Sequence, residues 1–68
     1  MREVVIRDDT IRLGQFLKLA DLVGDGSEAR QVLVDGRVSV NGTAEARRGR
    51  QLVRGDEVSF RGETIRVG

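Results

Sequence analysis

Apolar residues recur with two different periods along this chain, and the change from one to the other falls at a single glycine. Ala29, Val32 and Leu33 stand at i, i+3 and i+4, the stripe of an amphipathic helix. Ser27 is the predicted N-cap, and Glu28 puts negative charge in the first turn, where the helix dipole favours it. Gly36 stands where a helix ends on a left-handed residue. Beyond it Arg37, Ser39 and Asn41 alternate with Val38 and Val40, the period of a strand. Asn41-Gly42 then supplies both positive-φ residues that a tight type I′ hairpin requires.

The same patterns divide the rest of the chain. Val4 and Ile6 share a face of a strand predicted over residues 3–7. Thr10, after Asp8 and Asp9, is the predicted N-cap of a helix over residues 11–20, whose stripe is Leu13, Phe16, Leu17 and Ala20. Gly14 costs such a helix up to ~1 kcal/mol relative to alanine, and is read as tolerated near the N-terminus rather than as a site of close backbone approach. Gly24-Asp25-Gly26 is a loop, and lacks the spacing of a phosphate-binding glycine motif. Ala44 and Ala46 alternate with Glu45 and Arg47, which predicts a short, partly polar strand. Leu52 and Val53 anchor the far side of an Arg48-Gly49-Arg50 loop, Arg54-Gly55-Asp56 turns, and Val58, Phe60, Ile65 and Val67 alternate through a closing hairpin. The expected fold is a single α+β domain over residues 1–68, with two helices on one side of a small, mostly antiparallel sheet.

Composition narrows the chemistry. With no cysteine and no histidine, the chain has no disulfide, no thiolate nucleophile, no imidazole base and none of the usual zinc ligand sets. The acids are scattered over predicted turns and exposed faces, and 68 residues leave little volume for a closed pocket. The expectation is a binding protein rather than an enzyme, without cofactor or metal. No apolar run approaches the ~18 residues of a membrane span, and the N-terminal residues lack the shape of a secretion signal. A cytoplasmic monomer is expected.

Charge is more informative in its placement than in its sum. The net charge is only +1, yet residues 27–54 hold six arginines against three acids, and residues 46–55 hold four arginines and no acid. Such a local patch points to a bounded anionic partner. Arg47, Arg48 and Arg50 sit in a glycine-containing loop, with Arg30 and Arg37 on the helix and strand before it. The plainer reading is a few solvated arginines paired with Glu45 or Glu57. Nothing in a turn demands three arginines, so the expectation is that replacing all three leaves stability almost unchanged.

These residues together resemble the alpha-L RNA-binding motif, the S4-type domain. The resemblance runs from about Ile11 to Phe60. It rests on Arg12-Leu13, on Glu28-Ala29-Arg30, on Gly36-Arg-Val-Ser-Val-Asn-Gly42 and on Gly55-Asp56-Glu57-Val58. Larger members usually carry Ser-Arg just ahead of the second helix, where this chain has Asp25-Gly26. Its Gly-Ser-Glu-Ala-Arg helix start and its segment Glu45-Ala-Arg-Arg-Gly-Arg-Gln51 are similar to the small stand-alone bacterial branch of YbcJ-like proteins. The resemblance implies binding of structured RNA, such as ribosomal or transfer RNA, through the helical face and the basic loop. By position it nominates Arg12, Lys18, Arg30, Asn41, Arg47, Arg48 and Arg50, to which the charge pattern adds Arg37; for Asn41 the turn role is the first reading and a base contact the second. The scarcity of aromatics fits recognition by shape and phosphate rather than by base stacking. The alternative is a protein-interaction module that sets the same patch against an acidic partner, or uses a sheet edge for strand pairing.

Overall fold

A computed structural model describes all residues from Met1 to Gly68. Its strands are β1 (Arg2–Val4), β2 (Thr10–Arg12), β3 (Val38–Val40), β4 (Thr43–Ala44), β5 (Gln51–Val53), β6 (Glu57–Phe60) and β7 (Glu63–Val67). Its helices, between β2 and β3, are α1 (Leu13–Leu19) and α2 (Gly26–Val34). Five strands form one sheet in the order β1-β7-β6-β3-β4, and β2 and β5 form a separate two-stranded ribbon. Every pairing is antiparallel except that of β1 with β7. The architecture is therefore the α+β arrangement that the periodicity implied.

Strand alternation builds the core. Val38 faces Phe60 and Val40 faces Val58, which in turn faces Ile65, so one side of the sheet is continuously apolar. Leu13, Phe16 and Leu17 of α1, with Ala29, Val32 and Leu33 of α2, cover that side, and sixteen buried residues form a single cluster. On the other side Ser59 and Thr64 join their hydroxyls at 3.1 Å. Four of the seven strands have only three residues, so pairing across the sheet, rather than strand length, secures them.

The turns follow the sequence closely. Gly36 ends α2 with φ +73°, and Asn41 and Gly42 both take positive φ, 51° and 84°, between β3 and β4. The Asn41 side chain also ties this turn to the next one. Its carbonyl accepts from the Glu57 amide at 2.9 Å and its amide donates to Asp56 Oδ1 at 3.1 Å.

Four local expectations are corrected. Thr10 caps no helix: residues 10–12 are extended and pair with residues 51–53, so α1 begins only at Leu13. Ser27 is not the cap of α2 either. Asp25 takes that place and accepts from the Glu28 amide at 2.8 Å, while Glu28 reaches back to the Gly24 amide at 2.6 Å. Capping therefore starts two residues earlier and includes Gly26 in the helix. The first strand lies at Arg2–Val4, with Ile6 buried just beyond it. After the hairpin only Thr43 and Ala44 are strand, and the inward residue of the segment is Glu45, with Ala44 and Ala46 exposed.

Phe16 is wholly buried and, with Phe60, is one of the two largest side chains in the core. Phe16→Ala is expected to cost ~3 kcal/mol or more. A chemical-denaturant titration measures this directly, and a near-neutral result would contradict the packing described.

Candidate functional site

The site is built around the start of α1. An α-helix leaves its first amide groups without intrahelical partners, and α1 has no side-chain cap, because Arg12 precedes it in an extended conformation. The arginine loop supplies the missing acceptors. The Leu13 amide donates to the Arg50 carbonyl at 2.8 Å, and the Gly14 amide donates to the Arg48 carbonyl at 3.0 Å. This contact explains Gly14. A Cβ there would stand 2.6 Å from Arg48 Cγ and 3.5 Å from the Arg48 carbonyl oxygen. Gly14 thus marks a close approach, and the reading of simple tolerance is corrected.

Glu45 holds the loop in that position. Its carboxylate is one-tenth exposed and accepts from Arg47 Nε, Arg47 Nη2 and Arg50 Nη1, each at 3.1 Å, and from the Arg47 amide at 3.1 Å. Bidentate pairing of this kind is the strong form of a charge-assisted bond. The hydrogen bond from the Arg47 side chain is the main reason the Glu45 carboxyl is lowered from 4.5 to about 2. The Arg47 amide and the Arg50 guanidinium act in the same direction, against burial. Arg47 is raised in turn by its bond to Glu45. Two of the three loop arginines therefore have structural partners, which overturns the expectation that the fold makes no use of them.

Arg48 is different. It has no carboxylate partner, and it borders a cleft of about 350 Å³ together with Arg12, Lys18, Gln15, Gly14 and Gly49, with Gly26 and Ala29 of α2 on the far side. No acid lines this cleft. Gly26 brings the amino end of α2 to the same side, its dipole already met by the Asp25 cap and by Glu28. Arg12, Lys18 and Arg48 are all exposed. A second cleft, of about 330 Å³, shares Gln15 and Lys18 with the first and adds Arg7, an arginine with no carboxylate at ion-pair distance, together with the acid Asp8, beside Ile6, Ile11 and Leu19. Sequence reasoning did not nominate Arg7; only its proximity to Lys18 in the fold draws attention to it.

The remaining nominated residues lie differently. Arg30 is exposed on α2, next to the cleft residue Ala29, and has no acid partner. Arg37 stands 3.9 Å from Asp35 and does not line the cleft. Asn41 is in the β3–β4 turn, with both ends of its amide bonded within the chain. No group of acids is arranged to hold a metal ion, and no helix is long and apolar enough to cross a membrane.

With this geometry in hand, comparison with known proteins is decisive about kinship. Residues 4–68 match the family model of the S4 domain. The chain belongs to the S4-domain family. Among its relatives is the probable ribosome maturation protein RlbA of Bacillus subtilis, 44% identical over 59 residues that cover 87% of this chain and 83% of the relative. Another is the candidate RNA-binding protein YbcJ of Escherichia coli, 33% identical over 57 residues, covering 84% and 81%. The S4 domain also resembles the 30S ribosomal protein S4e of Thermoplasma acidophilum, with a TM-score of 0.66 and 25% identity. That likeness covers 88% of this chain but only 32% of S4e, so this S4 domain spans about a third of that larger protein.

Glu45 yields a pH test. A carboxyl lowered by folding stabilises the folded state fully above its unfolded value, and the contribution is lost as pH falls through the folded one. The melting-temperature advantage of the native protein over Glu45→Gln should therefore be constant above about pH 4.5 and shrink between that pH and about pH 2. Thermal denaturation of the two proteins across this range measures it. An advantage independent of pH would remove the ion pairs from the account of the loop.

Proposed function

We propose that this S4 domain binds structured RNA, of the ribosomal or transfer RNA class, through the cleft between the start of α1, the start of α2 and the arginine loop. The observation that carries the proposal is the segregation of charge. Arg2, Arg37, Arg47, Arg50, Arg54 and Arg66 each have a carboxylate within ion-pair distance. Arg7, Arg12, Lys18, Arg30, Arg48 and Arg61 have none, and three of these six, Arg12, Lys18 and Arg48, meet around one cleft that no acid lines. Positive groups left uncompensated at one place attract a polyanion there. The names of the relatives, a ribosome maturation protein and a candidate RNA-binding protein, support an RNA partner.

The chemistry of the surface favours phosphate over bases. Neither phenylalanine is placed to stack on a base, because Phe16 and Phe60 are both buried. Arginine forks can each grip a phosphate through two hydrogen bonds, and a folded RNA presents phosphates at fixed spacings that a rigid set of cations can match. Arg12, Lys18 and Arg48 are the principal contacts in this reading, and Arg30 and Arg7 extend the track to either side. Arg47 and Arg50 contribute to the local potential while remaining bonded to Glu45. Arg37 and Asn41 play the smaller part, outside the cleft.

Affinity for a folded RNA hairpin should fall steeply with salt, with a slope corresponding to roughly three to five phosphate contacts. Replacing Arg12, Lys18 and Arg48 together with glutamine should weaken binding at least ~tenfold, or about 1.4 kcal/mol, and flatten that slope. Glutamine at Arg2 and Arg66, whose charges are paired elsewhere, should change little. Fluorescence anisotropy over a salt series reads all three quantities. Equal losses from the two sets, or a preference for unstructured RNA, would overturn the proposal, and tight binding of an acidic protein without RNA affinity would favour a protein partner.

A further inference from the structure

Glu45 carries negative charge at the start of the most basic stretch of the chain, and simple electrostatics would make it a hindrance to binding an anion. Resting on the RNA-binding reading above, we infer the opposite: Glu45 and Gly14 are positioning residues that set Arg48 for RNA, so that an acid strengthens the binding of a polyanion.

The geometry runs through both neighbours of Arg48. Arg47 is fixed to Glu45 by its side chain and its backbone amide, and Arg50 is fixed to the same carboxylate by Nη1. The Arg50 amide donates to the Arg47 carbonyl at 3.3 Å, which closes the loop into a turn. Held at both ends, this turn presents the carbonyls of Arg48 and Arg50 to the first amides of α1. The backbone of Arg48 is thereby bolted to the helix that carries Lys18 and follows Arg12. Its aliphatic stem crosses α1 at Gly14, the one side-chain-free position there, where a Cβ would come within 2.6 Å of Arg48 Cγ. Arg47 and Arg50 thus act as stays, and Arg48 is the loop arginine whose head is left without an acid.

Arginine has several rotatable bonds, and freezing them on contact with a ligand costs entropy. A stem already laid across α1 has surrendered part of that freedom before the RNA arrives, which is the benefit of preorganisation. Without the carboxylate, Arg47 and Arg50 are free charges on a loosened loop, and Arg48 moves relative to Arg12 and Lys18. The net charge rises by one, yet the cations no longer share a fixed spacing.

The test turns on the sign of the effect and on its dependence on Arg48. Glu45→Gln should weaken binding of a labelled RNA hairpin about fivefold at physiological salt, although it makes the protein more positive. Gly14→Ala changes no charge and touches no bond of Glu45. It should weaken binding about threefold by displacing the Arg48 stem. In an Arg48→Gln background both substitutions should lose their effect, because the residue they position is gone. A purely structural role would produce the same losses in either background. Measurements are made below the melting temperature of each variant, and the Gly14 cycle stands alone if Glu45→Gln is too unstable to assay. Tighter or unchanged binding on either substitution, or losses that persist in the Arg48→Gln background, would overturn the inference. If native binding does not depend on Arg12, Lys18 and Arg48 at all, the RNA-binding reading itself falls. The two failures are therefore distinguishable.

Discussion

The unpaired amides at the start of α1 are the constraint around which this small fold is arranged. A helix of seven residues is far below the length that is stable alone in water. It survives because Leu13, Phe16 and Leu17 are packed into the core and because a distant loop satisfies its first amides. That loop keeps its shape through one carboxylate shared by two arginines. The start of α1, the arginine loop and Glu45 form one connected unit, and the principal cleft lies on top of it.

The ion pairs matter here more for geometry than for energy. Pairs between exposed side chains contribute little each, and Arg54 with Asp9 or Arg66 with Glu3 fit that description. The Glu45 cluster differs because its carboxylate is largely out of solvent and accepts four hydrogen bonds. Its loss would leave Arg47 and Arg50 without their shared partner and the loop without the bonds that shape it. Pairing also divides the basic residues: six arginines have a carboxylate within ion-pair distance, while Arg7, Arg12, Lys18, Arg30, Arg48 and Arg61 have none.

How much of this was legible in the sequence depended on the range of the interaction. The α2–β3 passage, the Gly36 stop, the Asn41-Gly42 turn and the inward Val38, Val40, Val58, Phe60 and Ile65 are fixed by neighbours a few residues away, and they appear as read. Thr10 to Arg12 was misread because two acids and a threonine before an apolar stripe look like a helix start. What makes these residues a strand is β5, far along the chain. The burial of Glu45 is not legible in the sequence, because it depends on two arginines that compensate the carboxylate. Gly14 showed its purpose only once residue 48 was seen across it. The basic segment itself was visible in the sequence, but its division into bonded and unbonded arginines was a tertiary fact.

The ribbon of β2 with β5 has a consequence for how the protein comes to exist at all. It ties residues 10–12 to residues 51–53, while β1 joins β7 and the Ile6 amide donates to the Gly68 carbonyl. Contacts between such distant parts of a chain repay the entropy of loop closure only once the ends have met. The cleft draws on residues 12–29 and on residues 48–49, towards the two ends of the segment that the β2–β5 pairing closes. Arg12, Lys18 and Arg48 share one cleft only through this long-range pairing, so the arrangement of the cations is a property of the tertiary fold and of no local segment.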